Sequence, residues 1–263
     1  MYSLSAPSFT GATVDEVAAL DGERLALFLD VDGTLIDLAA RPTDVVVPAG
    51  LTRTLAKIER KLAGALAFVS GRAISDLDRL FKPLRLRASG VHGAEMRFDP
   101  GQREASTPAA IELPRSLRTA LMRVVAAFPG AFVEDKRFSL VVHYRLTPSA
   151  ERPLREAVTR VIDSAKTTAV EVIDGHCAIE LKAPGFDKGG AIAAFLSTPA
   201  FRDRTPVFVG DDASDESGFA LVAARGGYAY SVGQKRWGTI GVFPEPKAVR
   251  EWLAEFAERR DDE

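Results

Sequence analysis

The sequence predicts an α/β protein: a parallel-sheet core interrupted by an inserted α+β domain. Three observations carry this. Short apolar runs bounded by turn residues alternate with amphipathic stretches near the start of the chain; a middle segment instead runs helix, hairpin, helix, hairpin; and the first rhythm resumes after Pro184-Gly185. Alternating strands and helices build a parallel sheet with right-handed crossovers, whose strands are buried on both faces. The core is therefore expected at 1–102 and 184–263, and the insert at 103–183.

The first strand is read at 24–30, where Leu25 to Leu29 is a continuous apolar run closed by Asp30-Val-Asp32-Gly-Thr34. A helix follows at 49–62, because Leu51, Leu55, Ile58 and Leu62 form one stripe at helical spacing and Gly64 stops it. A second strand at 65–69 ends in Ser70-Gly71-Arg72; a helix at 73–81 and a strand at 84–88 complete the first half. Asp99-Pro-Gly101 is a turn, and 102–110 is polar and loop-like.

The insert is read as a helix at 113–128 and a hairpin of runs at 131–134 and 139–144. A second helix at 150–165 and a second hairpin follow, the latter with runs at 169–173 and 177–181 around an Asp174-Gly175 turn. Beyond it, 188–196 reads as a helix and 206–209 as a strand ending in Gly210-Asp211-Asp212. A helix at 214–224, a strand at 227–232 and a last helix at 247–259 close the chain.

Composition sets outer bounds. The chain has 263 residues, 34 basic and 36 acidic, with 46% hydrophobic side chains, which excludes collagen-like, disulfide-scaffold and disordered classes. That length suits one to two domains. A net charge of -2 speaks against broad nucleic-acid binding. The single cysteine, Cys177, forms no internal disulfide and fits a reducing compartment. Residues 1–20 lack the pattern of a secretory leader, and no apolar run nears the roughly 20 residues of a membrane helix. A cytoplasmic monomer that binds neither membrane nor nucleic acid is expected.

The chemistry sits at strand ends, where open α/β sheets bind ligands. Asp30 and Asp32 are spaced to face one pocket while the strand stays extended. A carboxylate at such a place can attack phosphorus, and its neighbour can shuttle the proton. Asp-Gly is also a common turn, and this remains the plain alternative. Gly210-Asp211-Asp212-Ala-Ser214-Asp215-Glu216 ends another strand with acids. Carboxylates at two strand ends suit a hard cation such as Mg2+, though Asp212 or Ser214 as a helix cap explains part of the pattern. Ser70 and Gly71 offer a hydroxyl and backbone N–H groups to a phosphoryl oxygen. Lys188, at a helix start, can neutralise carboxylate and phosphate.

In this order, Asp30-Val-Asp32-Gly-Thr34, Ser70, Lys188 and Gly210-Asp211-Asp212 resemble the motifs of the haloacid-dehalogenase-like phosphatase superfamily. The resemblance implies a Rossmann-like core with Asp30 as nucleophile, Asp32 as general acid/base, and Ser70, Gly71 and Lys188 on the phosphoryl group. It further implies Mg2+ held by the Asp30 carboxylate, the Asp32 carbonyl and Asp211, with Asp212 and Asp215 in support. The insert would be a cap that closes over a sugar phosphate.

Further segments resemble the trehalose-6-phosphate phosphatase family: Arg41-Pro42, Gly90-Val-His92-Gly-Ala-Glu95, Val133-Glu-Asp-Lys136, His143-Tyr-Arg145 and Glu180-Leu-Lys-Ala-Pro-Gly-Phe-Asp-Lys-Gly189. The likeness spans about 24–256; Val31 and Ser214 stand where an aromatic and a threonine are commoner. It implies that Glu134, Lys136 and Glu180 read sugar hydroxyls, joined by Arg145 and His92. The family often carries a fused synthase domain, for which no room is expected here. A plain pairing or packing role is the alternative for His143, a solvated turn for Glu134 to Lys136, and a structural role for His176. Rival expectations are a phosphatase of another sugar phosphate, such as sucrose or mannosyl-glycerate phosphate, a phosphomannomutase-like transferase, and a non-catalytic phosphosugar-binding module.

Overall fold

The computed structural model describes residues 24–107, 112–165, 170–175 and 177–259. The expectations for residues 1–20, for Ala110 at the end of the polar segment, for the strand start at Ala169 and for His176 lie outside these residues.

Before the insert the chain forms β1 (Leu25–Leu29), α1 (Leu51–Lys61), β2 (Leu66–Val69), α2 (Ile74–Leu80), β3 (Arg87–Gly90) and β4 (Glu95–Arg97). The insert contributes α3 (Arg115–Val125), β5 (Phe132–Asp135), β6 (Ser139–His143), α4 (Glu151–Ser164), β7 (Glu171–Gly175) and β8 (Ala178–Lys182). After it come α5 (Lys188–Leu196), β9 (Thr205–Gly210), α6 (Glu216–Ala224), β10 (Tyr228–Val232), β11 (Gly241–Phe243) and α7 (Pro246–Glu258).

The core sheet has seven strands in the order β11-β10-β9-β1-β2-β3-β4, parallel except for β3 with β4. The continuous apolar runs explain its centre: β1 and β2 are buried along their whole length, as strands covered by helices on both faces must be. In the ladder Leu27 sits between Leu66 of β2 and Val207 of β9. β1 is thus flanked by β2 on one side and by β9 on the other, so the chain order reverses there. Open α/β sheets bind ligands at such a switch point, beyond the carboxyl ends of the strands.

The insert is a four-stranded antiparallel sheet, β5-β6-β8-β7, with α3 and α4 on one face. Strand alternation sorts its side chains. Leu140, Val142, Ile179 and Leu181 pack with Leu117, Leu121, Leu154 and Val158, apart from the larger cluster around Phe28, Phe68, Phe195 and Phe208 in the core. Full burial of such side chains contributes about 1.5–3 kcal/mol each. A small third cluster, Val91, Ala94 and Phe138, joins the two units. Ser106 still exchanges backbone hydrogen bonds with Met96, at 2.8 and 2.7 Å, so the chain leaves the core sheet only after that residue.

Three expectations change. The third strand begins at Arg87, not 84, because ladder pairing starts where Arg87 meets Ala67; Leu86 is buried without a strand partner. β4 and β11, three residues each at the sheet edges, are too short for a sequence period to show. Asp174-Gly175 lies inside β7: the ladder runs on to Gly175 opposite Ala178, so the reversal falls beyond it, with Cys177 at φ +56°. Register, fixed by Glu180 opposite Val141 and Ile173, overrides the local turn preference of Asp-Gly.

Candidate active site

Asp30 follows β1 and is 4% exposed; its backbone N–H is bonded to the Val209 carbonyl at 2.9 Å. The chain then turns back, with Leu35 and Ile36 donating to the Val31 carbonyl. Gly33, at φ +74°, is needed at this turn, since a Cβ there would lie 2.1 Å from Asp211 Oδ2. The glycine lets the loop after β9 close on the loop after β1.

Lys188 opens α5 behind an Asp187 cap that accepts from Gly190 N. It is 2% exposed and donates to Asp30 Oδ1 at 2.8 Å and to Asp215 Oδ1 at 2.7 Å. Asp215 Oδ2 accepts from the backbone N–H of Asp211 and Asp212, at 2.9 and 3.0 Å, which sets the loop after β9. Gly210 makes room for it, because a Cβ there would meet Asp215 Cγ at 2.3 Å. Asp212, rather than Ser214, caps the next turn: Oδ1 accepts from Ser214 N and Oγ.

Burial, with repulsion between neighbouring acids, pushes Asp30 up to about 8 and Asp211 and Asp215 up to about 7. Burial also disfavours the Lys188 ammonium, but Asp215 and Asp30 outweigh it and hold its pKa well above the usual lysine range. Without a further cation, the acids exceed the positive charge that faces them.

Carboxylate oxygens of Asp30, Asp211 and Asp215 all lie within 4.8 Å of one another. An all-oxygen donor set suits Mg2+ better than a soft transition metal. Both Asp215 oxygens are already engaged by Lys188 and two N–H groups. Asp215 therefore shapes this centre from behind, which leaves Asp30 and Asp211 as the side chains that could ligate a cation.

The structure brings the expected residues together. Asp30, Asp32, Ser70, Gly71, His92, Glu134, Lys136, Arg145, Glu180, Lys188, Asp211 and Asp212 border one pocket between core and insert, with Asp215 fully buried beneath. The insert reaches the core at several points: Lys136 Nζ donates to the Gly71 carbonyl at 2.8 Å, Glu180 Oε2 lies 3.0 Å from His92 Nε2, and Arg145 donates to the Ala39 carbonyl. Burial opposes ionisation of Glu180, yet His92 and Lys136 hold its carboxyl well below the usual range. His92 takes a left-handed backbone, φ 55° and ψ 30°, and its buried Nδ1 finds no partner among the described residues. Backbone strain and unmet polar atoms gather where a ligand is to be bound.

Arg72 was visible in Ser70-Gly71-Arg72 but carried no expected role. It is 6% exposed and grips Asp32 with two hydrogen bonds of 2.6 Å, while its own N–H donates to Ser70 Oγ at 3.1 Å. The signal available was a basic side chain directly after a strand-end motif. Arg236, in the loop between β10 and β11, donates to the Asp211 carbonyl at 2.7 Å, and no pattern in its neighbourhood announced it.

A buried carboxylate at one strand end, a buried lysine bonded to it and a second acidic strand end at the switch point of a parallel sheet define a phosphoryl-transfer enzyme of the haloacid-dehalogenase-like class. The profile of the trehalose-phosphatase family matches residues 28–239, and the chain belongs to that family. It is 40% identical over 224 residues to the trehalose-6-phosphate phosphatase of Escherichia coli (strain K12), covering 83% of each chain. A solved structure of the Candida albicans trehalose-6-phosphate phosphatase C-terminal domain superposes with a TM-score of 0.81 at 22% identity, covering 96% of this chain and 99% of that one. The C-terminal domain of the C. albicans trehalose synthase regulatory protein shares the fold at a TM-score of 0.69 and 15% identity, over 95% and 100% of the two chains.

Proposed function

We propose that this chain hydrolyses trehalose 6-phosphate to trehalose and phosphate, as a Mg2+-dependent phosphoric monoester hydrolase of trehalose biosynthesis. One observation carries the reading: a single pocket has the Asp30–Lys188 centre on its core side and Glu134, Lys136 and Glu180 on its insert side. One end suits a phosphoryl group and the other suits hydroxyls.

In the first step Asp30 attacks phosphorus, an aspartyl-phosphate bond forms and the bond to the sugar oxygen breaks. Asp32 gives its proton to that oxygen. In the second step Asp32 takes a proton from water, which attacks the aspartyl-phosphate and releases phosphate. Lys188 orients Asp30 and meets phosphate charge, Ser70 and Gly71 receive phosphoryl oxygens, and Arg72 fixes where Asp32 stands. Mg2+, held by Asp30, Asp211 and the Asp32 carbonyl, would offset repulsion between the nucleophile and the anionic phosphate.

We assign 103–183, whose first residues up to Ser106 still pair with the core sheet, as the cap that selects the sugar and excludes water; its separate apolar cluster and its polar contacts to the core through Lys136, Glu180 and Arg145 support this. Asp212 and Asp215 support the metal loop. No helix among the described residues is long and apolar enough to cross a membrane. Cys177, free and half-buried, suits a reducing compartment such as the cytoplasm.

The test is phosphate release from a panel of sugar phosphates, with and without EDTA. Trehalose 6-phosphate should be the best substrate, and EDTA should abolish release until Mg2+ is returned. Preference for a sucrose or mannosyl-glycerate phosphate would move the substrate, and no release at all would leave a binding module. In the same panel, Glu180→Ala should lower kcat/KM for trehalose 6-phosphate by about 10–100-fold and affect a small aryl phosphate far less. Equal losses on both would remove the sugar-reading role.

Metal and pH are linked. The acids of the centre have folded pKa values raised above about 4, to about 7–8. Such groups favour the fold fully below their unfolded pKa, and that contribution is lost as pH rises through the folded values. The Tm in EDTA should therefore fall between pH 5 and 8.5, and Mg2+ should raise Tm more at pH 8.5 than at pH 5. A Mg2+ shift of the same size at both pH values would contradict this.

A further inference from the structure

His143 is paired but otherwise unexplained by the reaction. Strand alternation puts Phe132, Glu134 and Lys136 of the first hairpin on one face of the cap sheet with Ser139, Val141 and His143, opposite the face packed on α3 and α4. Glu134 stands across from Val141, so His143 is its diagonal neighbour, a spacing that long side chains span. His143 Nε2 lies 2.8 Å from Glu134 Oε2. A carboxylate only accepts, so Nε2 carries the proton and donates. The imidazole plane is fixed in turn by Phe132, its direct cross-strand partner, whose ring is stacked on it at 4.7 Å and 23°.

The two cations near Glu134 are hydrogen-bonded elsewhere, Lys136 to the Gly71 carbonyl and Arg72 to Asp32. Burial disfavours the Glu134 carboxylate, and the His143 hydrogen bond is the foremost influence that lowers its pKa. Both residues border the pocket.

We infer that His143 is a positioning residue: clamped by Phe132, it fixes one oxygen of Glu134 so that the other is presented to a sugar hydroxyl, and it sets sugar affinity through Glu134 alone. The inference rests on the proposed sugar-reading role of Glu134. A freely turning glutamate would have to be ordered by each arriving substrate, a cost that a pre-set carboxylate avoids.

The test is a double-variant cycle in the full chain with Mg2+, measuring kcat and KM on trehalose 6-phosphate for His143→Ala, Glu134→Ala and the pair. His143→Ala should raise KM about tenfold with kcat little changed, and adding it to Glu134→Ala should raise KM no further. Multiplied effects on KM, or a fall in kcat at unchanged KM, would overturn the inference. His143→Gln keeps a donor at similar reach without the ring and should restore most of the KM; an alanine-like KM there would also overturn it, and this comparison stands even if His143→Ala folds poorly. If the wild type prefers another sugar phosphate, the substrate reading falls while the cycle, run on that substrate, still decides the role of His143. If the wild type shows no sugar preference over an aryl phosphate, both fall.

Discussion

Asp30→Asn leaves the protein folded and removes turnover. Loss of an activated nucleophile can cost about 10⁶ in kcat, and phosphate-monoester hydrolysis is so slow unaided that little background activity should remain. Rate loss alone does not identify a nucleophile, because misfolding produces it too. The electrostatics supply the second half of the prediction. Asp30 is pushed up to about 8 by burial and by the neighbouring Asp211 and Asp212, against the pull of Lys188. An asparagine keeps the size and an oxygen for the Lys188 ammonium, yet removes one charge from a crowded acidic cluster. In EDTA at pH 8.5 its Tm should therefore equal or exceed that of the wild type, with turnover gone. Measurable phosphate release by a purified variant would displace Asp30 from the nucleophile's role, and a Tm well below wild type would contradict the acidic crowding. Stability bought at the expense of activity is the expected signature of a strained catalytic centre.

The same physics decides what could be read from the sequence. β1, β2 and β9 were legible because a strand covered on both faces must be apolar throughout, and each ends abruptly in Asp30, Ser70 or Asp211. Those three ends meet because neighbouring parallel strands bring their carboxyl ends to one edge of the sheet. Lys188 was legible through its helix start, and Glu134 with Lys136 through alternation along β5 and beyond. What escaped were partnerships across distance. Nothing at position 72 states that its guanidinium will cross forty residues to Asp32. Nothing at His92 states that it will meet Glu180, eighty-eight residues on and in the other unit. Short edge strands escaped for a related reason: β4 and β11 are defined by their neighbours, and three residues hold no period.

Lys188→Met should behave in the opposite sense to Asp30→Asn, losing stability together with activity. Lys188 is 2% exposed and bonded to Asp30 and Asp215, which are themselves nearly inaccessible to water. Removing one partner of a buried ion pair costs about 3–5 kcal/mol, because the remaining charge is left without water or counter-ion. For a chain of this size that corresponds to a fall in Tm of roughly 10 °C. The sign of its pH dependence follows from the acids. Without the ammonium their folded pKa values rise further, so they are accommodated as neutral carboxyls at low pH and destabilise increasingly as pH rises. The Tm gap between wild type and Lys188→Met, measured in EDTA, should be small at pH 5 and wide at pH 8.5. A gap independent of pH would mean that methionine merely packs badly, and that the lysine is not what holds Asp30 and Asp215 together. A wide gap at high pH would instead locate the protein's electrostatic strain at the place where Asp30 is asked to act.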